Sequence, residues 1–343
     1  MSSTSKPPAA GPQGTGPQGT GPQGTRPQAT TQASKPREQA PEPQAATLRE
    51  KRTRSRFFLH PSFLVGAFIL FAIGGLAFLG PLFIPLDPNA IDLSNLESAP
   101  SAEHLLGTDA LGRDVLARLL YGGQVSVMVG VTAVLVQVAI GVLVGSLAGY
   151  FGGWVDHVLM RFTEIVMCFP FYAIAISLAA IFGASIGNVI LIIGILGWTG
   201  LARLVRAELL SLREREYVLA ARAAGVSAPV IIVRHLLRNA YGPILVNATL
   251  AVANAILAET ALSFLGLGVT QPDPSWGNML SAAQSMRVLS NEPWLWIPPG
   301  IAIVLMVLAI NFIGDALSSS LAPRQGALLK DLEQRSLFLP RRK

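Results

Sequence analysis

Charge is what this sequence has least of. Charged residues make up 13% of its 343 residues, against about 25% in soluble chains. They are missing altogether from 57–86, 119–155, 165–202, 239–258 and 293–314. Those runs exclude a soluble enzyme, because a bilayer span needs roughly 20 apolar residues at about 1.5 Å rise each. Cysteine occurs once, at Cys168 within an apolar run, so no internal disulfide can form and no Cys/His cluster is available to a metal. The four histidines, His60, His104, His157 and His235, have no ligand-like spacing. A phosphate loop of the GxxxxGK[ST] type, an HExxH helix and a GxSxG elbow are all missing. No catalytic residue, metal or directly bound cofactor is therefore expected. A cleavable signal is missing too, since the first apolar run starts only near Phe57 and is long enough to remain as an anchor.

What is present begins with a polar tail over 1–56. GPQGT stands three times in tandem over 11–25, followed by a Pro/Gln/Ala/Thr stretch. Such a segment has too little apolar surface to offset its ordering entropy, so disorder is expected. The five-residue period excludes collagen, which needs glycine at every third position. The tail ends in Arg49, Lys51, Arg52, Arg54 and Arg56.

The uncharged runs convert to helices by length. A first span fits 57–84, inside a segment 57–86 that Pro81 and Pro85 close, followed by an external segment over 87–123. The run 119–155 opens on Tyr121-Gly122-Gly123 and closes on Gly149 to Gly153, which gives one long span near 124–149. As a single helix 165–202 would be about 57 Å long, almost twice the hydrocarbon core. The turn-like Gly183-Ala184-Ser185-Ile186-Gly187-Asn188 divides it into 165–183 and 188–206. Spans over 240–264 and 294–317 complete an all-α polytopic membrane protein with six transmembrane helices. Residues 124–317 form its five-helix core, and 318–343 a terminal tail.

Lys/Arg asymmetry orients the spans. With both termini inside, the segments 1–56, 150–164, 203–239 and 318–343 hold 23 of the 26 Lys and Arg. The outside segments hold only Arg113, Arg118 and Arg287. The net charge of +6 is thus mainly a topology signal rather than a nucleic-acid surface.

Between spans four and five the sequence turns to a different pattern. Tyr217 to Ala224 form an Ala-rich stretch stopped by Gly225, and Ser227 can cap a second helix with Pro229 in its first turn. This reads as a helix–turn–helix in the segment 203–239, outside the bilayer, whose small alanines allow another protein surface to approach. An ordinary amphipathic loop at the headgroup level is the plainer alternative. The stretch Leu219-Ala220-Ala221-x3-Gly225-x9-His235-x-Leu237-Arg238 resembles the coupling loop of ABC-importer permeases, E-A-A-x3-G-x9-I-x-L-P, with Glu, Ile and Pro replaced. The peptide-importer branch is more similar still: Tyr217, Val218, Ala220 to Ala223, Gly225, His235, Leu237 and Asn239 fit, while Arg238 stands where proline is usual. His104 to Asp109, Gly112 to Leu116, Glu259 to Gly268, Pro274 to Gly277, and Asn311 to Asp315 resemble further blocks of that branch, as does Leu321-Ala322-Pro323-Arg324 with Ala for Asp. The resemblance covers roughly 60–325.

The resemblance implies a type I ABC importer permease that moves di- or oligopeptides by alternating access across a bacterial cytoplasmic membrane. A second, similar permease and two ATPase subunits or domains are implied as partners, with an extracytoplasmic solute-binding protein delivering cargo. ATP and Mg would then be bound by the partners. The coupling residues carried over are Tyr217, Ala220, Ala221, Arg222, Gly225, His235 and Leu237. Import of nickel or a glycosylated solute is the alternative within the family, and a carrier or channel without an ATPase the alternative outside it.

Polar residues inside the spans are the remaining candidates. Asn239, Asn247 and Asn254 recur about every two turns and share a face of span five, while Asn311 and Asp315 share a face of span six. Asn247 and Asn254 either line a hydrated path or hydrogen-bond between helices. Glu259, Asn311 and Asp315 are read as structural intramembrane polar groups, because a charge is costly in lipid and faces protein, water or headgroups. Gly141, Gly145 and Gly149 form a small-xxx-small stripe that predicts a close helix contact.

Overall fold

The computed structural model describes residues 61–83 and 86–321. The 1–56 tail with its repeats and basic cluster, and the 318–343 tail beyond Leu321, lie outside the described residues. The described chain is helical throughout, apart from connecting loops and an isolated β-bridge between Thr108 and Asp114.

Helix α1 spans Pro61–Phe83 and α2 spans Val115–Phe151, a continuous run of 37 residues. The Asp114 carboxylate caps α2 by accepting the Ala117 N–H at 2.8 Å. Span two therefore starts at Val115 rather than near 124, and the external segment ends at its cap. Gly122 and Gly123 are contact positions rather than a break. A methyl on Gly123 would stand 2.8 Å from the Trp276 ring, and one on Gly122 3.2 Å from the Ser275 backbone.

After Gly152 (φ 65°) the chain enters α3, Gly153–Met167, and then α4, Phe171–Phe182, which is turned from it by 81°. The expected straight span over 165–183 is thus broken at Cys168-Phe169-Pro170. Proline lacks an N–H and pushes the residue before it away from helical geometry, so the apolar run continues while its direction does not. The segment 150–164, assigned to the inside, is mostly α3. A turn at Gly183 to Ser185 leads to α5, Ile186–Gly197, and a 41° bend at Trp198 to α6, Thr199–Leu212. Asn188 ties that turn, donating to the carbonyls of Phe182 and Gly183 at 2.9 Å.

Helix α7 covers Glu216–Ala223, and α8 runs without interruption over Ala228–Phe264. The second helix of the loop and span five are therefore one element. A π-helical stretch over Ile231–Leu237 joins them. Arg238 has the backbone N–H that proline lacks, and the helix continues through it. A short α9, Trp276–Leu280, is held by a reciprocal Ser275–Asn278 capping box. Helix α10, Met286–Asn291, precedes the last long helix, α11, Pro293–Leu321. Four helices (α1, α2, α8 and α11) are long and apolar enough to cross a membrane, and the two bent pairs bring the number to six if each is one crossing.

Helix α2 is the axis of the bundle. Val129, Ala133 and Val134 pack with Ala175 and Ala179 of α4, Val189 and Ile193 of α5, and Ala255, Ala258 and Leu262 of α8. Farther along, the glycine stripe meets α6: methyls on Gly145 and Gly149 would stand 2.5 Å from the Ala202 carbonyl and 2.8 Å from Leu209 Cβ. Apolar side chains gain little by leaving lipid for one another, so close backbone approach is what holds such a pair. Phe68, Phe71, Leu82 and Phe83 of α1 point outward, as a lipid-facing helix requires.

Candidate functional site

The two ends of α8 carry contrasting constellations. At its start stands the α7 turn. Ala224 ends α7, and Gly225 follows at φ 76°, a conformation that costs a side-chain-bearing residue roughly 1 kcal/mol. The Gly225 N–H donates to the Arg222 carbonyl at 3.0 Å and the Val226 N–H to the Ala221 carbonyl at 3.1 Å. These are the paired bonds of a Schellman stop, and Ala221 and Val226 close it by packing on the same apolar cluster. Ser227 occupies the cap position of α8, but its side chain makes no cap hydrogen bond.

One face of α7 is fixed and the other is open. Val218 is 0% exposed among Leu209, Ile231, Leu236 and Ala240. The Arg222 guanidinium lies 4.7 Å from the centre of the Tyr150 ring at the end of α2. Arg213 donates to the Gly149 carbonyl at 3.3 Å. Opposite this seat, Tyr217 and Leu219 are 42% and 51% exposed, and Ala220, Ala223, Ala224 and Gly225 are exposed beside them. His235 and Leu237 are half-buried on the π-helical stretch, Leu237 against the same cluster. Nearby, Arg206 of α6 holds Asp156 of α3 through both carboxylate oxygens. Of the residues carried over from the sequence, Tyr217 and Ala220 lie on the open face. Ala221 faces the seat, Arg222 anchors α7 to α2, and Gly225 makes the turn.

The opposite end of α8 is closed. Glu259 is 0% exposed and accepts from Ser126 of α2 at 3.0 Å and Ser263 at 2.7 Å. Trp276 is buried there and donates its ring N–H to the Leu119 carbonyl at 3.0 Å. The segment before α2 packs at this end. Arg113 pairs with Asp109 at 2.7 Å and donates to Gln271 at 2.8 Å, as Arg118 does at 3.1 Å. Arg287 bridges Glu97 and Glu292, both at 2.5 Å, and these carboxylates hold its guanidinium above the usual range. A cavity of about 620 Å³ opens among these groups. Its three arginines, Arg113, Arg118 and Arg287, are all engaged by acids or carbonyl oxygens. Hydrogen bonds from Ser94 and Asn95 lower the nearby Asp92 carboxyl to about 2.

The intramembrane candidates separate. Asn254 is exposed and Asn247 half-buried, and neither amide meets a partner among the described residues. Asn239 and Asn311 bond back to carbonyls of their own helices, His235 at 2.6 Å and Val307 at 2.9 Å. Asp315 is exposed near the end of α11, without an ion pair among the described residues. Sequence reasoning did not find Tyr150, Ser126 or the Asp156–Arg206 pair. Ser126 is one hydroxyl in an uncharged run, 133 positions from the acid it serves.

A bundle of long apolar helices, with an exposed small-residue helix outside it and a polar closure at the far end, defines a membrane permease. A family model described as binding-protein-dependent transport system inner membrane component matches residues 141–326, and one for the N-terminal TM domain of oligopeptide transport permease C matches 51–100. The chain belongs to this family of transport-system permeases. It is 45% identical over 273 residues to a Brucella suis biovar 1 protein provisionally named a peptide permease, covering 80% of this chain and 90% of that one. A dipeptide transport system permease protein of Alkalihalophilus pseudofirmus is 40% identical over 76% of this chain and 85% of its own. An oligopeptide transport system permease protein of Haemophilus influenzae is 40% identical over 79% and 87%.

Proposed function

We propose that this chain is one transmembrane subunit of an ATP-driven importer of di- or oligopeptides, and that its α7 turn receives a partner ATPase. The observation that carries the reading is the division of α7: Val218 is buried in the chain's own core while Tyr217, Leu219, Ala220 and Ala223 stand open. The open side of this eight-residue helix mixes Tyr217, Leu219 and two alanines with Glu216 and Arg222, a surface of apolar centre and charged rim that suits a protein partner. The sequence offers no phosphate loop, so ATP and Mg bind on that partner. The Lys/Arg bias puts the α7 end and both termini in the cytoplasm, and the α9 end outside. A second, similar permease would face the exposed Asn254 side of α8, where Asn254 and Asn247 offer amides without partners among the described residues to a hydrated peptide path. A solute-binding protein would meet the α9 end. Peptide as cargo rests on the names of the relatives that match over most of their length.

The test is Gly225→Pro in a strain that depends on this uptake. Proline fixes φ near −65°, against 76° here, so the Schellman turn cannot form. ATP-dependent peptide uptake is expected to disappear while membrane insertion stays normal. Normal uptake in the variant would overturn the docking role of the turn. Wild-type uptake of a nickel salt or glycoside, with no peptide uptake, would replace the cargo.

A further inference from the structure

Glu259 ends two chains of hydrogen bonds that run in one direction. The Val269 N–H donates to Ser263 Oγ at 3.0 Å, and the Trp276 N–H donates to Ser126 Oγ at 3.2 Å. Each serine has then accepted from the segment that follows α8, and it passes its own hydroxyl hydrogen to one oxygen of Glu259, at 2.7 and 3.0 Å. Among the described residues no Lys, Arg or His pairs with the carboxylate; its partners are these two hydroxyls, with that of Ser275 beside them. The segment is also seated by shape. A methyl on Gly277 would stand 2.7 Å from Ser263 Cβ and 2.8 Å from the Thr260 carbonyl. Ser126 belongs to α2 and Ser263 to α8, so one carboxylate binds α2, α8 and the α9 segment into a single joint.

That joint sits on the helix whose other end is the docking turn. At about 1.5 Å per residue, the 37 residues of α8 reach roughly 55 Å, which exceeds the hydrocarbon core. Resting on the function proposed above, we infer that Glu259 is a positioning residue for transmission. It fixes the α9 segment to α8 so that displacement of the α7 turn by the ATPases reaches the face where the solute-binding protein docks, and the reverse. Glutamine replaces one of the two acceptor oxygens with an NH₂ group, so the serine that faced that oxygen loses its acceptor and its hydroxyl hydrogen must turn elsewhere.

The experiment uses the complete transporter, with companion permease and ATPases, in lipid vesicles with and without peptide-loaded solute-binding protein. Glu259→Gln is expected to retain the co-purified ATPases and basal hydrolysis within twofold, while stimulation by the loaded binding protein falls at least tenfold. Ser126→Ala removes one arm and keeps the carboxylate, and it is expected to give an intermediate loss. Full stimulation in Glu259→Gln overturns the inference. So does a parallel fall of basal and stimulated hydrolysis, or a variant chain that no longer assembles, since each marks a group needed only for folding. If the wild-type chain brings down no ATPase, the proposed function itself fails. A stimulated wild type beside an unaffected variant sinks only the role of Glu259.

Discussion

The two ends of α8 make opposite use of polar and apolar groups. At the outer end Glu259 and Trp276 are buried, Ser275 and Asn278 cap one another, and Arg113, Arg118 and Arg287 are all engaged within the chain. At the inner end α7 shows Tyr217, Leu219 and four small residues to solvent, and its seat is a compact apolar cluster around Val218. The outer end engages its charged groups within the chain, while Thr260 Oγ1, Glu292 Oε2 and the indole N–H groups of Trp294 and Trp296 stay buried without a partner among the described residues. The inner end is finished on one face only, and its open face sets Tyr217, Leu219 and small residues among Glu214, Arg215, Glu216 and Arg222. Under the proposed function the difference has a meaning: energy would enter at the end left open, and cargo would be received at the other.

The contrast is sharpened most by Val218→Ala. Removing two buried carbons at about 0.8 kcal/mol each, with a residual cavity, is expected to cost about 2 kcal/mol. The loss should be local, because α7 is short and its core is its only broad seat. Hydrogen exchange is expected to speed up over 216–226 and leave the outer segment 265–292 unchanged. Equal acceleration at both ends would mean that the ends are not separately stabilised. The mirror-image change at the outer end is smaller. Asp114→Ala takes the cap from the Ala117 N–H and the partner from His104 Nδ1, 2.9 Å away. It is expected to cost about 1 kcal/mol, seen as a lower melting temperature in detergent with ATPase binding unaltered. Loss of ATPase binding in that variant would erase the distinction between the ends.

Much of this division was legible in the sequence. Gly225 after an alanine run gave both the turn and its place, because a helix stop needs a residue that tolerates positive φ. Charge-free runs gave the apolar helices, and the spacing of Gly141, Gly145 and Gly149 gave a close helix contact, whose partner α6 only the structure shows. Other glycines misled. Gly122-Gly123 looked like a break and is a contact with Ser275 and Trp276, since glycine serves close approach as readily as it serves turns. The bend at Cys168 to Pro170 was hidden because hydropathy records length and not direction. Arg238 marked a departure from the family pattern, and the single helix that joins the loop to span five, running on through Pro243, is visible only in three dimensions. Ser263 stands four residues from Glu259 on the same helix, a spacing the sequence shows, but Ser126 is 133 positions away, and the Trp276 backbone N–H that Ser126 accepts has no sequence signature.

The most direct measurement is site-specific cross-linking in the assembled transporter. Cys168 is exposed and would first be replaced by serine. A single cysteine is then placed at Ala220 on the open face of α7, or at Ala110 beside the outer cavity. With a short bifunctional reagent, position 220 is predicted to capture an ATPase subunit and position 110 to capture none, with the solute-binding protein as its partner instead. An ATPase adduct at 110, or none at 220 in a complex that hydrolyses ATP, would contradict the account.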